Sequence, residues 1–279
     1  ENPSQGFSLF GIPEHKNRVV HIHPGPEEIG RIYKPHLGIA CSPISFANAL
    51  NNALKGLNTK PSSENEINTN QAHEEYLEWG NMPLEAPNSG VDLTSAFRSL
   101  REKLEPNTII TNGAGNYAVW GHRLFRFSQF GTQLAPISGS MGYGLPAAIA
   151  AKLRNPDKTV IALAGDGCFQ MTENEFATAV QYNAAVIVFV VDNEMYGTIR
   201  MHQHKNYKGK YKHTGLINPD FNKLAVAMGG QGYTVNNTED FMNTFNDAQD
   251  WTSKNNLPAL LHIKTGSEMV LPGKRFNSL

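Results

Sequence analysis

Two stretches decide the fold: Thr159-Val-Ile-Ala-Leu-Ala-Gly165-Asp166-Gly167-Cys168 and Val186-Ile-Val-Phe-Val-Val-Asp192-Asn193. Each opens on an unbroken apolar run. A strand with one wet face alternates, whereas a strand apolar at every position is covered on both faces, the pattern of a parallel sheet between helices. Residues 173–182 between them have helical spacing, so the two runs and this helix form one β-α-β crossover. Both runs end in polar residues. Ligands of open parallel sheets gather at the carboxyl ends of the strands, so Asp166 and Asn193 fall where chemistry is expected. A buried carboxylate needs a partner or a cation. Carboxylate and amide oxygens are hard donors that suit Mg²⁺ or Ca²⁺, and Mg²⁺ commonly brings phosphate oxygens with it. Gly165 and Gly167 are expected to let backbone approach a bulky anion. Gly-Asp-Gly alone is a weak signal. Set on an apolar strand, 24 residues (168–191) before Asp-Asn on the next one, it is much stronger. The bland alternative is two ordinary strand-to-helix turns with Asp166 as a cap.

Outward from this unit the alternation continues. Strands are predicted over 108–111, 232–235 and 259–264, and helices over 93–104, 143–154, 221–228 and 239–254. Towards the N-terminus, 18–23 reads as a strand, 27–31 as the start of a helix and 45–57 as a second helix. The polar stretch 58–70 reads as a linker and the Pro-containing stretch 82–90 as a loop. This predicts a partial α/β domain over 1–57, a linker over 58–90 and a ligand-binding domain over 91–279. The chain starts at Glu1 rather than Met, and we read it as a piece of something longer.

Composition removes several function classes. The 24 Lys and Arg against 25 Asp and Glu leave a net charge of -1, so no global field gathers nucleic acid or an anionic membrane surface. The longest strongly apolar run, 184–191, is far short of the roughly 20 residues of a spanning helix. Cys41 and Cys168 make no disulfide framework, which favours a reducing compartment, expected to be the cytoplasm.

Gly165-Asp-Gly167 followed at this spacing by Asn193 resembles the thiamine-diphosphate motif of the acetolactate synthase-like family of decarboxylases and carboligases. The resemblance runs through Ser138-Gly-Ser-Met-Gly-Tyr-Gly-Leu-Pro-Ala-Ala-Ile149, Phe169-Gln-Met-Thr172 and Glu194-Met-Tyr-Gly-Thr-Ile-Arg200. It covers nearly all of 91–279, and 19–54 is similar to the end of the family's central domain. It implies a doubly wound parallel sheet with helices on both faces, preceded by a partial α/β domain. It also implies thiamine diphosphate and Mg²⁺ as cofactors, with FAD left open.

The site residues implied are specific. Asp166 and Asn193 would hold the metal by side chain, and Met195 by its carbonyl. Gly167 and Cys168 would offer N–H groups to the diphosphate. Gly115, Asn116 and Tyr117 match the family's Gly-Gln-His loop and depart from it at the last two positions. The Gly139 carbonyl would accept the aminopyrimidine amino group. Met141 would support the bent cofactor from below, although the residues alone favour core packing for it. Ser140, Tyr196 and Gly197 fall in the same motifs and count among the cofactor contacts.

The family's activating Glu comes from another domain, and these 279 residues offer no candidate for it or for any other catalytic side chain. The substrate implied is a 2-keto acid and the assembly a homo-oligomer with shared active sites. The acceptor stays open, because Thr198 and His202 stand where the family's acetolactate synthases carry Met and Trp. A non-catalytic or nucleotide-binding doubly wound module is the alternative, although Gly139-Ser-Met-Gly142-Tyr-Gly144 is offset from the dinucleotide spacing; a related lyase or decarboxylase with a different substrate is another. His202, His204 and His213, among Lys205, Lys208, Lys210 and Lys212, read as a solvated loop over the site rather than a metal cluster. Asp192, in place of the family's Asn, serves as a second-layer group or a turn cap; the sequence leaves that choice open.

Overall fold

The computed structural model describes residues 7–57, 62–207 and 209–278. The chain divides into two compact units, up to His73 and from Glu74 onward. In the first, β1 (Val20–His23) and β2 (Leu37–Ala40) pair in parallel, and α1 (Pro43–Leu54) follows. Ser42 caps α1, its Oγ accepting from the Ser45 N–H at 3.1 Å. The helix expected at 27–31 is only a 3-10 turn, Pro26–Glu28. It ends at Ile29, which is already extended at φ -70° and ψ 119°, and Gly30 follows at φ +78°. None of these elements holds a buried residue.

The 58–90 segment read as a linker contains a helix, α2 (Ser63–Asn81). It is polar on all sides, so no apolar stripe reveals it in the sequence. Its C-terminal end is tied down inside the second unit. Arg98 donates to the carbonyls of Gly80 and Met82, and the Arg123 guanidinium stacks 4.7 Å from the Trp79 ring centroid.

The second unit opens with α3 (Leu93–Lys103), β3 (Ile109–Asn112), α4 (Ala118–Leu124), β4 (Gln133–Leu134) and α5 (Gly144–Arg154). Next come β5 (Val160–Gly165), α6 (Asp166–Phe169), α7 (Glu175–Gln181), β6 (Ile187–Asp192) and α8 (Gly197–Tyr207). The unit closes with α9 (Phe221–Ala227), β7 (Gln231–Val235), α10 (Thr238–Asn255), β8 (Ala259–Lys264) and a small antiparallel pair, β9 (Met269–Leu271) and β10 (Lys274–Arg275). Six strands form one parallel sheet in the order β4-β3-β5-β6-β8-β7.

The apolar runs of β5 and β6 are buried at every position, and successive side chains enter opposite cores. Ile161, Leu163, Ile187 and Phe189 pack with α3, α4 and α10. Val160, Ala162, Val188 and Val190 pack with α5, α7 and α9. This is the doubly wound α/β arrangement expected from the sequence. The chain leaves β3 for the edge strand β4 and returns to β5 on β3's other side. The sheet therefore reverses direction between β3 and β5, and a crevice opens there at the strands' carboxyl ends.

Phe189 anchors one core, fully buried with edge-on contacts to Phe241 and Phe245 at 5.8 and 6.0 Å. Truncating a buried Phe costs about 3–5 kcal/mol. Phe189→Ala is expected to destabilise the protein by that amount in denaturant unfolding. A loss under about 1 kcal/mol would contradict the packing described here.

Candidate functional site

The loops after β3, β5 and β6 surround a cavity of about 230 Å³ at this crevice. Of the residues singled out from sequence, Gly115, Asn116, Tyr117, Gly139, Met141, Asp166, Gly167, Cys168, Asn193, Met195, Tyr196 and Gly197 all border it. Ser140 does not border it; its hydroxyl meets that of Ser138 at 3.0 Å on the exposed side of the loop. Thr198 and Ile199 border the cavity as well.

Three of the glycines lie against tyrosine rings. A Cβ on Gly165 would lie 2.7 Å from Cδ1 of Tyr117, and one on Gly115 2.6 Å from Cε1 of the same ring. A Cβ on Gly167 would lie 2.4 Å from Cε1 of Tyr196. The missing side chains make room for two tyrosine rings that wall the cavity. The Tyr117 hydroxyl donates to Cys168 Sγ at 3.1 Å. Burial, with Cys168 beside it, holds that phenol far above its ordinary range, so it stays protonated. Cys168 Sγ also accepts from the Gly142 N–H at 3.0 Å. One buried sulfur thus knits the β3 loop and the Gly139–Gly142 loop to α6.

Asp166 is the first residue of α6 and is 3% exposed. Its Oδ1 accepts from the Gly167 N–H at 2.8 Å and its Oδ2 from Asn218 Nδ2 at 2.8 Å. Burial pushes its pKa up from 3.8 to about 6, against the pull of those two hydrogen bonds.

Asp192, whose role the sequence left open, lies behind the cavity rather than in it. Its Oδ1 accepts from Asn218 Nδ2 at 2.7 Å and from the Glu194 N–H at 3.0 Å. Its Oδ2 accepts from His262 Nε2 at 2.7 Å and Lys264 Nζ at 2.5 Å. Burial by itself would raise its pKa, but the bonds from His262, Lys264 and Asn218 hold it well below the carboxylate range. The bond to Glu194 steadies a left-handed residue at φ +58°, where the chain turns off β6. After that turn, residues 194–196 pair with 214–216 through the bonds Leu216 N–H to Glu194 O and Tyr196 N–H to Thr214 O, both 2.9 Å. This pairing delivers Asn218 to the two carboxylates. Asn218, His262 and Lys264 were all missed in the sequence reading.

The segment read as a solvated loop, 202–213, begins inside α8. His204 Nδ1 and the Tyr211 hydroxyl share a hydrogen bond of 2.6 Å, and the Arg200 guanidinium lies 4.2 Å from the Tyr211 ring centroid. Lys208 falls outside the described residues. Among the described residues no three His, Cys, Asp or Glu side chains are grouped to hold a metal. The start of α8 is clasped to the β3 loop: Thr198 Oγ1 accepts from the Asn116 N–H at 3.0 Å and donates to Asn116 Oδ1 at 2.8 Å. Two of the departures from the family pattern, Asn116 and Thr198, therefore pair with each other across the cavity rim.

Comparison with known proteins places this architecture. The family model described as "Thiamine pyrophosphate enzyme, C-terminal TPP binding domain" matches residues 113–263, more than half of the chain. The chain belongs to this family. Relatives are named as acetolactate synthases. The catalytic subunit of Aspergillus candidus, named mitochondrial, is 40% identical over 167 residues, 59% of this chain and 24% of its own length. The large subunit of Porphyra purpurea is 29% identical over 265 residues, 92% of this chain and 44% of its own. The Saccharomyces cerevisiae catalytic subunit, also named mitochondrial, is 30% identical over 231 residues, 81% and 33%. The chain spans less than half the length of these relatives. Among the described residues no helix is long and apolar enough to cross a membrane.

The raised Asp166 pKa has a stability consequence for the ligand-free thiamine pyrophosphate-family fold. The folded state binds this proton more tightly than the unfolded chain does. The group therefore opposes folding above about pH 6, and that penalty is relieved as the pH falls from about 6 to 3.8. The full penalty is about 3 kcal/mol. Asp166→Asn removes it and forfeits one hydrogen bond worth about 1 kcal/mol. At pH 7.5 the variant is expected to melt about 4–8 °C higher than the parent. The gap should shrink as the pH drops through 6; a gap that stays constant from pH 7.5 to 5 would refute this account.

Proposed function

We propose that the protein binds thiamine diphosphate through Mg²⁺ and serves the decarboxylation or carboligation of a 2-keto acid. The observation that carries this reading is the pair Asp166 and Asn193, a carboxylate and a carboxamide at the ends of neighbouring strands, both bordering one cavity at the sheet's switch point. The donors suit the ion. Each Asp166 oxygen accepts one hydrogen bond in the structure and keeps lone pairs for a hard cation. The Met195 carbonyl, which accepts from the Gly197 N–H at 2.9 Å, would be the third protein ligand.

Cys168 stands in the first turn of α6, where helix geometry supplies no acceptor for its N–H, which would face the diphosphate; the Gly167 N–H beside it is held by Asp166 Oδ1 and would reach the diphosphate only by leaving that bond. The Gly139 carbonyl, Met141, and the Tyr117 and Tyr196 rings would seat the organic part and keep water out. Thiamine diphosphate, when bound, supplies the electron sink for carbon–carbon bond cleavage or formation next to a carbonyl. The chain's residues bind, orient and shield. Among the described residues, the only acidic side chain bordering the cavity is Asp166, which the metal would occupy. The proton-transfer Glu expected of the family is therefore assigned to a domain outside these 279 residues, in a partner copy of a homo-oligomer. Two free cysteines favour a reducing compartment, the cytoplasm in our reading, while the fungal relatives are named mitochondrial.

Calorimetric titration tests the reading directly. Thiamine diphosphate is expected to bind the chain in the presence of Mg²⁺ and to lose that binding in EDTA and in Asp166→Ala. Binding of a dinucleotide in place of thiamine diphosphate would end the proposal. Turnover assays with pyruvate should show none for the 279-residue chain by itself. Measurable turnover would remove the need for an outside Glu.

A further inference from the structure

We infer that Asn218 is the positioning residue of the metal site: its amide aims the Asp166 carboxylate, and Asp192 and Gln170 fix the amide. The inference rests on the Mg²⁺–thiamine diphosphate reading and extends it to residues that touch neither group.

A primary amide has two N–H donors and one carbonyl acceptor. Both donors are committed, and the oxygen accepts as well. Its Nδ2 donates to Asp166 Oδ2 at 2.8 Å and to Asp192 Oδ1 at 2.7 Å, and its Oδ1 accepts from Gln170 Nε2 at 2.9 Å. Turning the amide over would set its oxygen against two carboxylates and its NH₂ against another NH₂. Only one orientation is therefore stable, and it presents a fixed donor to Asp166.

The rest of the network holds that donor still. Asp192 is anchored by His262 and Lys264 from β8 and by the Glu194 N–H, so it does not rotate to follow Asn218. Gln170 also reaches the Asp166 carbonyl at 3.4 Å, which ties the far side of Asn218 to α6. Without Asn218, Asp166 would keep one local hydrogen bond, from Gly167, and would turn about its terminal torsion, which has broad wells. It would also face Asp192 with no donor between two like charges. Binding a cation would then have to pay for ordering the carboxylate. Partners that orient a ligand commonly change metal affinity 10- to 100-fold when removed.

The test uses the full 279-residue chain as wild type, Asn218→Ala and Gln170→Ala. Thiamine diphosphate binding is followed by calorimetry across a Mg²⁺ series, alongside the melting temperature without ligand. Asn218→Ala is expected to raise the Mg²⁺ concentration for half-maximal binding about tenfold or more. At saturating Mg²⁺ its affinity for the cofactor should return to within about threefold of wild type. Gln170→Ala should shift the Mg²⁺ midpoint in the same direction by about threefold.

A purely structural role predicts something else: lower melting and weaker cofactor binding at every Mg²⁺ concentration alike. That pattern, or unchanged Mg²⁺ midpoints in both variants, overturns the inference. If Asn218→Ala does not fold, Gln170→Ala decides, since a shifted midpoint supports positioning and an unshifted one refutes it. Wild type that fails to bind at any Mg²⁺ concentration takes down the cofactor reading and this inference with it. Wild type that binds, with variants that match it, overturns the inference by itself.

Discussion

Two carboxylates, Asp166 and Asp192, end adjacent parallel strands and are almost wholly removed from water. Burying one ion is expensive, and burying two of like sign side by side is more so. The arrangement persists because the protein treats them unequally. Asp192 collects four donors, which hold its pKa well below the usual carboxylate range, while Asp166 receives two and burial pushes its pKa up to about 6. A single amide bridges the two, donating one N–H to each. Much of the surrounding chain serves this asymmetry. β8 carries His262 and Lys264 into place, the left-handed turn at Glu194 brings a backbone N–H to Asp192, and residues 214–216 pair with 194–196 so that Asn218 arrives at the right depth.

The sheet frame that makes this possible was plain in the sequence. Val-Ile-Ala-Leu-Ala and Val-Ile-Val-Phe-Val-Val have no polar position to face water, so burial on both sides was the only stable outcome, and the strand ends had to carry the polar chemistry. The helices α3, α5, α7, α9 and α10 were visible because each shows an apolar stripe to a core. α2 and α8 were not, for the same reason inverted. Neither presents such a stripe: α2 buries only Gly80, and α8 buries no residue at all.

At the site, the donor pair and the cavity wall were legible through local motifs, but the layer behind them was not. Asn218 sits in Asn-Pro-Asp, a composition that reads as an ordinary turn. His262 and Lys264 look like alternating residues of a half-buried strand. Their function depends on register: β6 and β8 pair so that Asp192 lies opposite Lys264, and spacing along the chain does not encode that. The glycines show a subtler gap. Their need for space was readable, but the occupants, the rings of Tyr117 and Tyr196, became identifiable only in three dimensions.

α8 deserves its own reading as a structural part. It supplies Thr198 and Ile199 to the cavity, buries no residue, and is fastened at its start by Thr198 and Asn116 and further along by Arg200, His204 and Tyr211. Asp166 and Asn193 come instead from strand ends rooted in the two cores. One side of the chamber is thus a lightly buried panel and the other a frame rooted in the cores. A substitution on the panel can reshape the chamber while leaving the packing behind the strand ends as it is.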